Sequence, residues 1–378
     1  MTRSNARILF LILLAGAAWL RLRGLNWDAH HHLHPDERFI SMVEEKLVDP
    51  GSLREYLDSK TSKLNPYNVG HGSFVYGTLP MLLAHFVGKV VGKTGYDGTF
   101  LVGRVLSTLF DLISLWLVYR IARRFAGRRA SLAAAAFLAG SPLAIQLSHF
   151  WTVDTLLTTF TTAALLASVR LAQGRRDAGT LVLAGVAAGL AVSCKVTGLA
   201  LFGPLGLGLL VGSLPPPGPR RPGEWGRRAV AFVLAGAAIV ALSAAVVRVG
   251  FPYAFASGNP LSFRLDPRWV NDLTSLNSLV KSVSAFPPNF QWAGRTIVFP
   301  LENLVVWGAS PFFGLPALAG FVWAILSLRR RRAWALAPLA LHVALLLSYH
   351  GFTLAKSMRY LYPAYPALAV LAALALRR

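Results

Sequence analysis

Apolar stretches long enough to cross a bilayer recur along most of this chain, and arginine clusters follow every second one. Ten segments read as helices: residues 8–22, 100–122, 130–149, 154–172, 178–194, 196–213, 229–248, 302–327, 333–350 and 358–376. Each can cross a hydrocarbon layer of ~30 Å, the shorter ones with snorkelling or local thinning. Backbone N–H and C=O groups in lipid must pair internally, and no span-length segment alternates like a strand, so the class is all-α and polytopic. "YRIARRFAGRR" follows the second segment, "GRRDAG" the fourth, "PPPGPRRPGEWGRR" the sixth, "LRRRRA" the eighth and "LRR" the tenth, with "MTRSNAR" ahead of the first. Cytoplasmic loops are enriched in Lys and Arg, so the pattern places these connections and both termini in the cytoplasm. Arg21 and Arg23, at the far end of the first segment, run against the rule and read as side chains that snorkel to headgroups.

The residues are 54% hydrophobic and 14% charged, which excludes an ordinary soluble domain. A net charge of +22 would suggest nucleic acid in a soluble protein. Here the arginines are placed by topology and by contact with anionic membrane lipids, and no nucleic-acid partner is expected. Cys194 is the sole cysteine, so no intrachain disulfide forms. "RLRG" follows the first segment instead of a small-residue cleavage site, so that segment reads as a retained helix.

Two long connections then fall outside, residues 24–99 and 249–301. In the first, "LPMLLAHFVGKVVG" is amphipathic and short for a span, which predicts a helix lying in the interface. Trp27, Tyr67, Tyr76, Tyr253, Trp269 and Trp292 suit that depth. The second connection is rich in Pro, Asn and Ser and reads as irregular with short helices. Pro215–Pro222 reads as a Pro/Gly/Arg hinge on the cytoplasmic side. All of 1–378 is expected to form a single transmembrane domain with no separate soluble domain.

Chemistry-bearing residues gather on the outer side. "HHHLHPDERFISMVEEKL" puts Pro35 at a first helical position, with Asp36 and Glu37 in the first turn. Proline is preorganised there and carboxylates favour the positive helix end, so helix initiation alone accounts for the pattern. It also holds a carboxylate rigidly at the membrane surface. Adjacent helical residues diverge by about 100°, so the two acids should not face one target. Asp154 starts the fourth segment on the same side, where it is either a dipole partner or a functional acid. Lys356 and Arg359 enter the tenth segment spaced i,i+3, an arrangement that would share one helical face. Two such cations either snorkel to headgroups or clamp a phosphate, with Tyr360, Tyr362 and Tyr365 as rim. His30, His31, His32 and His34 invite a metal reading, and His30 and His34 have helical zinc-pair spacing. Pro35 disfavours helix at His34, and no third ligand is evident, so no metal site is predicted. His34 and His71, and with them His149, remain site candidates by side alone.

These residues resemble a known family. The chain is similar to the bacterial polyprenyl-phosphate-sugar-dependent glycosyltransferases of the protein O-mannosyltransferase and lipid A aminoarabinose transferase type, glycosyltransferase family 39, with the GT-C fold. "HPDERF" resembles the family's acidic pair in the first outer loop, and "YGTLPMLLAHFVG" its interfacial segment, with one proline where Pro-Pro-Leu is usual. "GRVLSTLFDLISLWLVYRIARRFAGRRASLAAAAFLAGSPLAIQLSHFWTVDTLL" resembles its second to fourth helices, and "KVTGL" and "MRYLYPAYP" later landmarks. The chain ends after the tenth segment, where many relatives continue into further helices or a soluble domain.

The resemblance implies an integral-membrane glycosyltransferase that moves a sugar from a polyprenyl-phosphate carrier to an acceptor hydroxyl on a glycan, lipid or protein. Asp36 would be the base, Glu37 its orienting or substituting partner, and Asp154 would shape the pocket. Lys356 and Arg359 are placed at the carrier phosphate by position and charge. A phosphate leaving group departs as a stabilised anion. The reaction therefore needs a base, cations and an apolar cleft, with no required cofactor, although a divalent metal is compatible. Single displacement with inversion is the simplest course. A transporter or flippase of a lipid-linked sugar is the alternative; it calls for ionisable groups near mid-membrane and for internal repeats, and no repeat is evident. A catalytically silent assembly subunit is a third reading, which loss of the acidic pair would favour.

The charge pattern predicts that a cysteine introduced by Asn259→Cys reacts with an impermeant maleimide in intact cells. Labelling only after permeabilisation would reverse the topology.

Overall fold

The structure, a computed structural model, describes residues 1–215, 223–281, 283 and 287–377. The expected hinge beyond Pro215 lies outside the described residues. Apart from one antiparallel bridge, Phe255 to Leu265, the described regular structure is helical. After α1 (Arg3–Leu22), the first long connection folds into α2 (Pro35–Glu44), α3 (Leu53–Leu57) and α4 (Leu79–Val90). The bundle continues through α5 (Tyr96–Ala122), α6 (Arg128–Ala139), α7 (Pro142–Ser148), α8 (Asp154–Ala172), α9 (Ala178–Cys194), α10 (Phe202–Ser213) and α11 (Glu224–Gly250). The second connection carries α12 (Pro267–Leu279) and α13 (Phe299–Asn303), and α14 (Pro311–Ser327), α15 (Ala337–Phe352) and α16 (Tyr365–Ala375) complete the bundle.

All ten expected segments are helical, but a count of ten full spans is not reached. Six helices among the described residues are long and apolar enough to cross a membrane, seven if α6 and α7, bent by 59°, form one broken span. Pro142 cannot donate to the helix that precedes it, so α6 stops and α7 restarts at a new angle. The last segment is shortened in the same way. Residues Met358–Ala364 form a 3₁₀ stretch containing Pro363, and α16 begins only at Tyr365.

Small residues and self-satisfied hydroxyls let the helices approach closely. A Cβ at Gly185 would lie 2.5 Å from Leu242 Cβ, and one at Gly189 2.6 Å from Val246 Cβ, so this four-residue glycine spacing on α9 is what seats α11. α8 runs through the interior. Its buried Thr159, Thr162 and Ser168 hydroxyls donate to the carbonyls of Thr155, Thr158 and Ala164 at 3.0, 2.7 and 3.0 Å, which meets their hydrogen-bonding need without water.

Two buried arginines tie the elements together. Arg104 on α5 donates to both oxygens of Glu37, at 2.8 and 2.6 Å, and to both oxygens of Asp28, at 3.0 and 2.8 Å. A further bond reaches the Leu25 carbonyl at 2.6 Å. Glu37 Oε1 also accepts the Trp151 backbone N–H at 2.8 Å, and the Trp151 ring lies where a Cβ on Gly103 would fall, 2.1 Å from Cγ. Arg21 is the second, and here the snorkelling expectation is corrected. The side chain is fully buried, and its Nε donates to Asp111 on α5 at 2.5 Å, with the Ala139 carbonyl 3.1 Å from Nη1. The Tyr362 hydroxyl donates to the other Asp111 oxygen. A carboxylate partner inside the bundle outcompetes the headgroups. Arg23, by contrast, stays exposed over Trp19 at 5.1 Å. The two long connections are joined where Asp272 on α12 accepts the Tyr67 hydroxyl and, at 2.7 Å, the Phe74 N–H.

Replacing Arg104 with Met strands two buried carboxylates and should cost ~3–5 kcal/mol, read from unfolding in detergent. Gly103→Ala should cost about 1–3 kcal/mol through the clash with Trp151. Adding Asp28→Asn and Glu37→Gln to Arg104→Met should recover part of the loss. Wild-type stability of the single variant would show that Arg104 is not the tie.

Candidate active site

The site starts from the first turn of α2. His34, in extended conformation (φ −79°, ψ 119°), caps the helix, its Nδ1 accepting the Glu37 N–H at 3.4 Å, and Pro35 opens it. Asp36 and Glu37 diverge as adjacent helical residues must. Glu37 turns inward to Arg104 and is wholly buried. Asp36 turns to the end of the bundle, where its Oδ2 lies 2.5 Å from Arg359 Nη1, with Tyr76 beside it.

Three chain breaks bring partners to Asp36. Asp154 is the first residue of α8, and its Oδ2 lies 3.9 Å from Arg359 Nη1. Arg359 sits in the proline-containing 3₁₀ stretch before α16. Lys195 leaves α9 in an extended conformation (φ −162°, ψ 138°), which aims Nζ back to 3.9 Å from Asp154 Oδ1. Positive and negative groups therefore alternate: Asp36, Arg359, Asp154, Lys195. Lys195 and Arg359 both lie over the Tyr360 ring, at 4.7 and 5.6 Å from its centroid. Asp154 is 4% exposed, whereas Asp36, Arg359 and Lys195 keep 18–22% of their side chains open. The group is thus held from below and reachable from the bundle end.

Burial raises the Asp36 carboxyl, but the charge and hydrogen bond of Arg359 outweigh it and hold the group below the ordinary value of 3.8. Burial first, and then the Asp36 charge, push the Tyr76 hydroxyl well up, so it remains a donor. His34 stacks on Phe150 with centroids 4.4 Å apart, and burial, with Asp36 and Arg359 pulling oppositely, moves its imidazole below the usual value.

Several expected site residues lie elsewhere. The Glu37 carboxylate is taken up by Arg104 and the Trp151 N–H, so it offers no free base and cannot substitute for Asp36. Lys356 precedes the 3₁₀ stretch and shares no helical face with Arg359. It is buried, with Nζ donating to the Gly351 and Thr353 carbonyls at 2.6 and 2.7 Å. His71 packs edge-on against Phe39 with ring centroids 6.1 Å apart. His149 bridges the Ile145 and Arg23 carbonyls at 2.8 and 2.9 Å. His32 is inserted between Tyr96 and Phe100 and reaches Asp97 at 3.2 Å. Positive φ at Ala29, His30 and His32 makes this stretch a turn, which dissolves the helical zinc spacing. Among the described residues no group of three or more His, Cys, Asp or Glu is placed to hold a metal. Lys195 and Tyr76 were missed as site residues. The available signal for Lys195 was a lone lysine directly after an apolar run, on the arginine-poor side.

Comparison with known proteins bears on this arrangement. Residues 96–245 match the family model described as dolichyl-phosphate-mannose-protein mannosyltransferase. No curated protein matches the chain. Among solved structures, ArnT from Cupriavidus metallidurans bound to undecaprenyl phosphate is similar at 20% identity and a TM-score of 0.56, over 100% of this chain and 61% of that one. The Archaeoglobus fulgidus oligosaccharyltransferase in its apo form is similar at 16% identity and a TM-score of 0.59, over 99% of this chain and 51% of that one. The same archaeal enzyme in complex with an inhibitory peptide and a dolichol-phosphate gives 16% identity and a TM-score of 0.55, over 98% and 50%. The chain thus spans about half to three fifths of the length of these enzymes. The likeness establishes the fold: a GT-C helix bundle in a multi-pass membrane protein. The GT-C fold expected from the sequence agrees with these solved structures.

Because the Asp36 carboxyl is depressed in the folded state, its ion pair stabilises above the unfolded value and is lost as pH falls through the folded one. The stability gap between wild type and Asp36→Asn should be constant from neutrality to about pH 5 and close below about pH 4. A gap that persists unchanged in acid would mean that Arg359 is not the partner.

Proposed function

We propose that this chain is a glycosyltransferase that transfers a sugar from a polyprenyl-phosphate carrier to an acceptor hydroxyl on a glycan, lipid or protein. The carrying observation is the group Asp36–Arg359–Asp154–Lys195 at one bundle end. The family-model match over residues 96–245 supports the same reaction class. So do the lipid phosphates in two structures of like fold: undecaprenyl phosphate in ArnT and a dolichol-phosphate in the archaeal oligosaccharyltransferase.

In this reading Asp36 is the base. The acceptor oxygen attacks the anomeric carbon and its proton passes to the Asp36 carboxylate. The bond from that carbon to the phosphate oxygen breaks, its electron pair leaves with the phosphate, and configuration inverts. Arg359 and Lys195 meet the departing anion. The incoming phosphate competes for Arg359 and releases Asp36 from its ion pair, so donor binding readies the base. Asp154, between the two cations, sets their separation. Tyr360 gives them a shared face, and His34 walls the base from the Phe150 side. Glu37 positions α2 through Arg104, and Lys356 braces the backbone at 351–353. The site lies opposite the arginine clusters, so it faces away from the cytoplasm and both termini face into it, in a cell membrane of bacterial type. The whole of 1–378 acts as one unit, with 24–99 and 249–301 forming its outer face.

A transporter would expose ionisable groups to a path through the bundle. The buried Arg21–Asp111 pair is instead closed off by Tyr362 and by helix-end carbonyls.

With synthetic polyprenyl-phosphate sugars in detergent, Asp36→Asn should lower turnover by ~10²–10⁴-fold and leave donor affinity nearly intact. Arg359→Ala should weaken donor binding and turnover together, because a phosphate clamp acts in ground and transition states alike. Normal turnover in Asp36→Asn would remove Asp36 as the base.

A further inference from the structure

At the end of the bundle away from Asp36 lies a second concave site. α16 begins at Tyr365, six residues after Arg359, and runs ~16 Å to the opposite end. There a pocket of about 760 Å³ opens between the ends of α5, α14 and α16 and the turn 331–336. Arg329, Arg330, Arg332 and Arg377 line it, Trp323 and Leu374 contribute to its apolar surface, and no carboxylate is among its lining residues.

The four arginines are available. Among the described residues none of their guanidinium groups makes a hydrogen bond, ion pair or ring contact, whereas the intervening Arg331 donates to the Pro215 carbonyl and lies over Trp334 at 5.4 Å. Four guanidiniums with no counter-ion among the described residues gather round one concavity, an arrangement that favours an anion. Guanidinium forks match phosphate oxygens, and an apolar surface beside them matches an acyl chain. The pocket sits where apolar helices of the bundle end, and basic pockets between membrane helices take anionic headgroups.

We propose that this pocket binds one anionic phospholipid, its phosphodiester held by Arg329, Arg330, Arg332 and Arg377 and its acyl chain laid along Trp323 and Leu374. The occupant would neutralise the α14–α15 turn and fasten it to the end of α16. This assignment is independent of the glycosyltransferase reading and of which face of the membrane the pocket occupies.

The test is native mass spectrometry of the full chain extracted from mixed phosphatidylcholine and phosphatidylglycerol bilayers. The wild-type protein should carry phosphatidylglycerol out in preference. Arg329→Gln/Arg330→Gln/Arg332→Gln should lower that retention roughly 10- to 100-fold. Arg3→Gln/Arg7→Gln/Arg227→Gln, which removes the same charge outside the pocket lining, should leave it unchanged. Equal carry-over of the two lipids by the wild type overturns the proposal, whether or not the variants fold. Equal loss in both triple variants overturns it in favour of bulk surface attraction. Displacement of the lipid by millimolar inorganic phosphate overturns it in favour of a free-anion site.

Discussion

The site depends on one buried guanidinium. Arg104 holds Glu37 from α2 and Asp28 from the loop before it, and Glu37 in turn holds the backbone of Trp151, three residues before the first residue of α8. The rest of α2 is seated by buried Ile40 and Val43 and by the Glu44–His85 contact at 2.7 Å, and the Arg104 tie adds a charged lock at its first turn. With it, the first turn of α2 is locked in rotation, and Asp36, the neighbour of the locked residue, must point at the bundle end where α8 and α16 begin. A buried charge pair of this kind contributes little net stability compared with apolar packing, but removing one partner is costly. Its structural worth is orientation. One acid of the pair is spent on geometry so that the other can be presented.

The presented group has a balanced charge. Two carboxylates and two cations alternate, so the partly desolvated end of the bundle carries no net charge before a ligand arrives. A phosphate monoester or diester added to this group finds both cations already held 3.9 Å from Asp154. In the proposed reaction the phosphate replaces one carboxylate on Arg359, and the displaced Asp36 carboxylate is freed to act as the base. The same coupling depresses the Asp36 carboxyl in the resting protein, and release from Arg359 returns it toward ordinary basicity. The opposite end of the bundle follows another logic. Its arginines at 329, 330, 332 and 377 have no counter-ion among the described residues, which is the ground for the anionic lipid proposed there.

Close helix packing makes this positioning possible. Glycines at 185 and 189 bring α11 against α9, and Thr159, Thr162 and Ser168 of α8 bond to their own helix backbone. The bundle interior can then be polar in composition yet tightly packed. The interruptions at Pro142, Lys195 and Pro363 all end or redirect a helix, and those at Lys195 and Pro363 lie where the site needs a side chain aimed across the bundle.

The sequence by itself determined the helical class, the alternation of arginine-rich and arginine-poor connections, the start of α2 at Pro35 and the divergence of Asp36 from Glu37. These follow from local quantities: apolar length against bilayer thickness, proline at a first helical position, and the angle between successive helical residues. Only the tertiary structure decided that Glu37 is consumed by Arg104, that Arg21 is buried against Asp111, that Lys195 and not Lys356 stands beside Asp154, and that several spans are short or broken. The first three depend on which groups meet across separations of 41 to 90 residues in sequence. Hydropathy and charge order carry no record of such meetings, because an arginine after an apolar run has the same local signature whether it reaches a headgroup or a buried carboxylate.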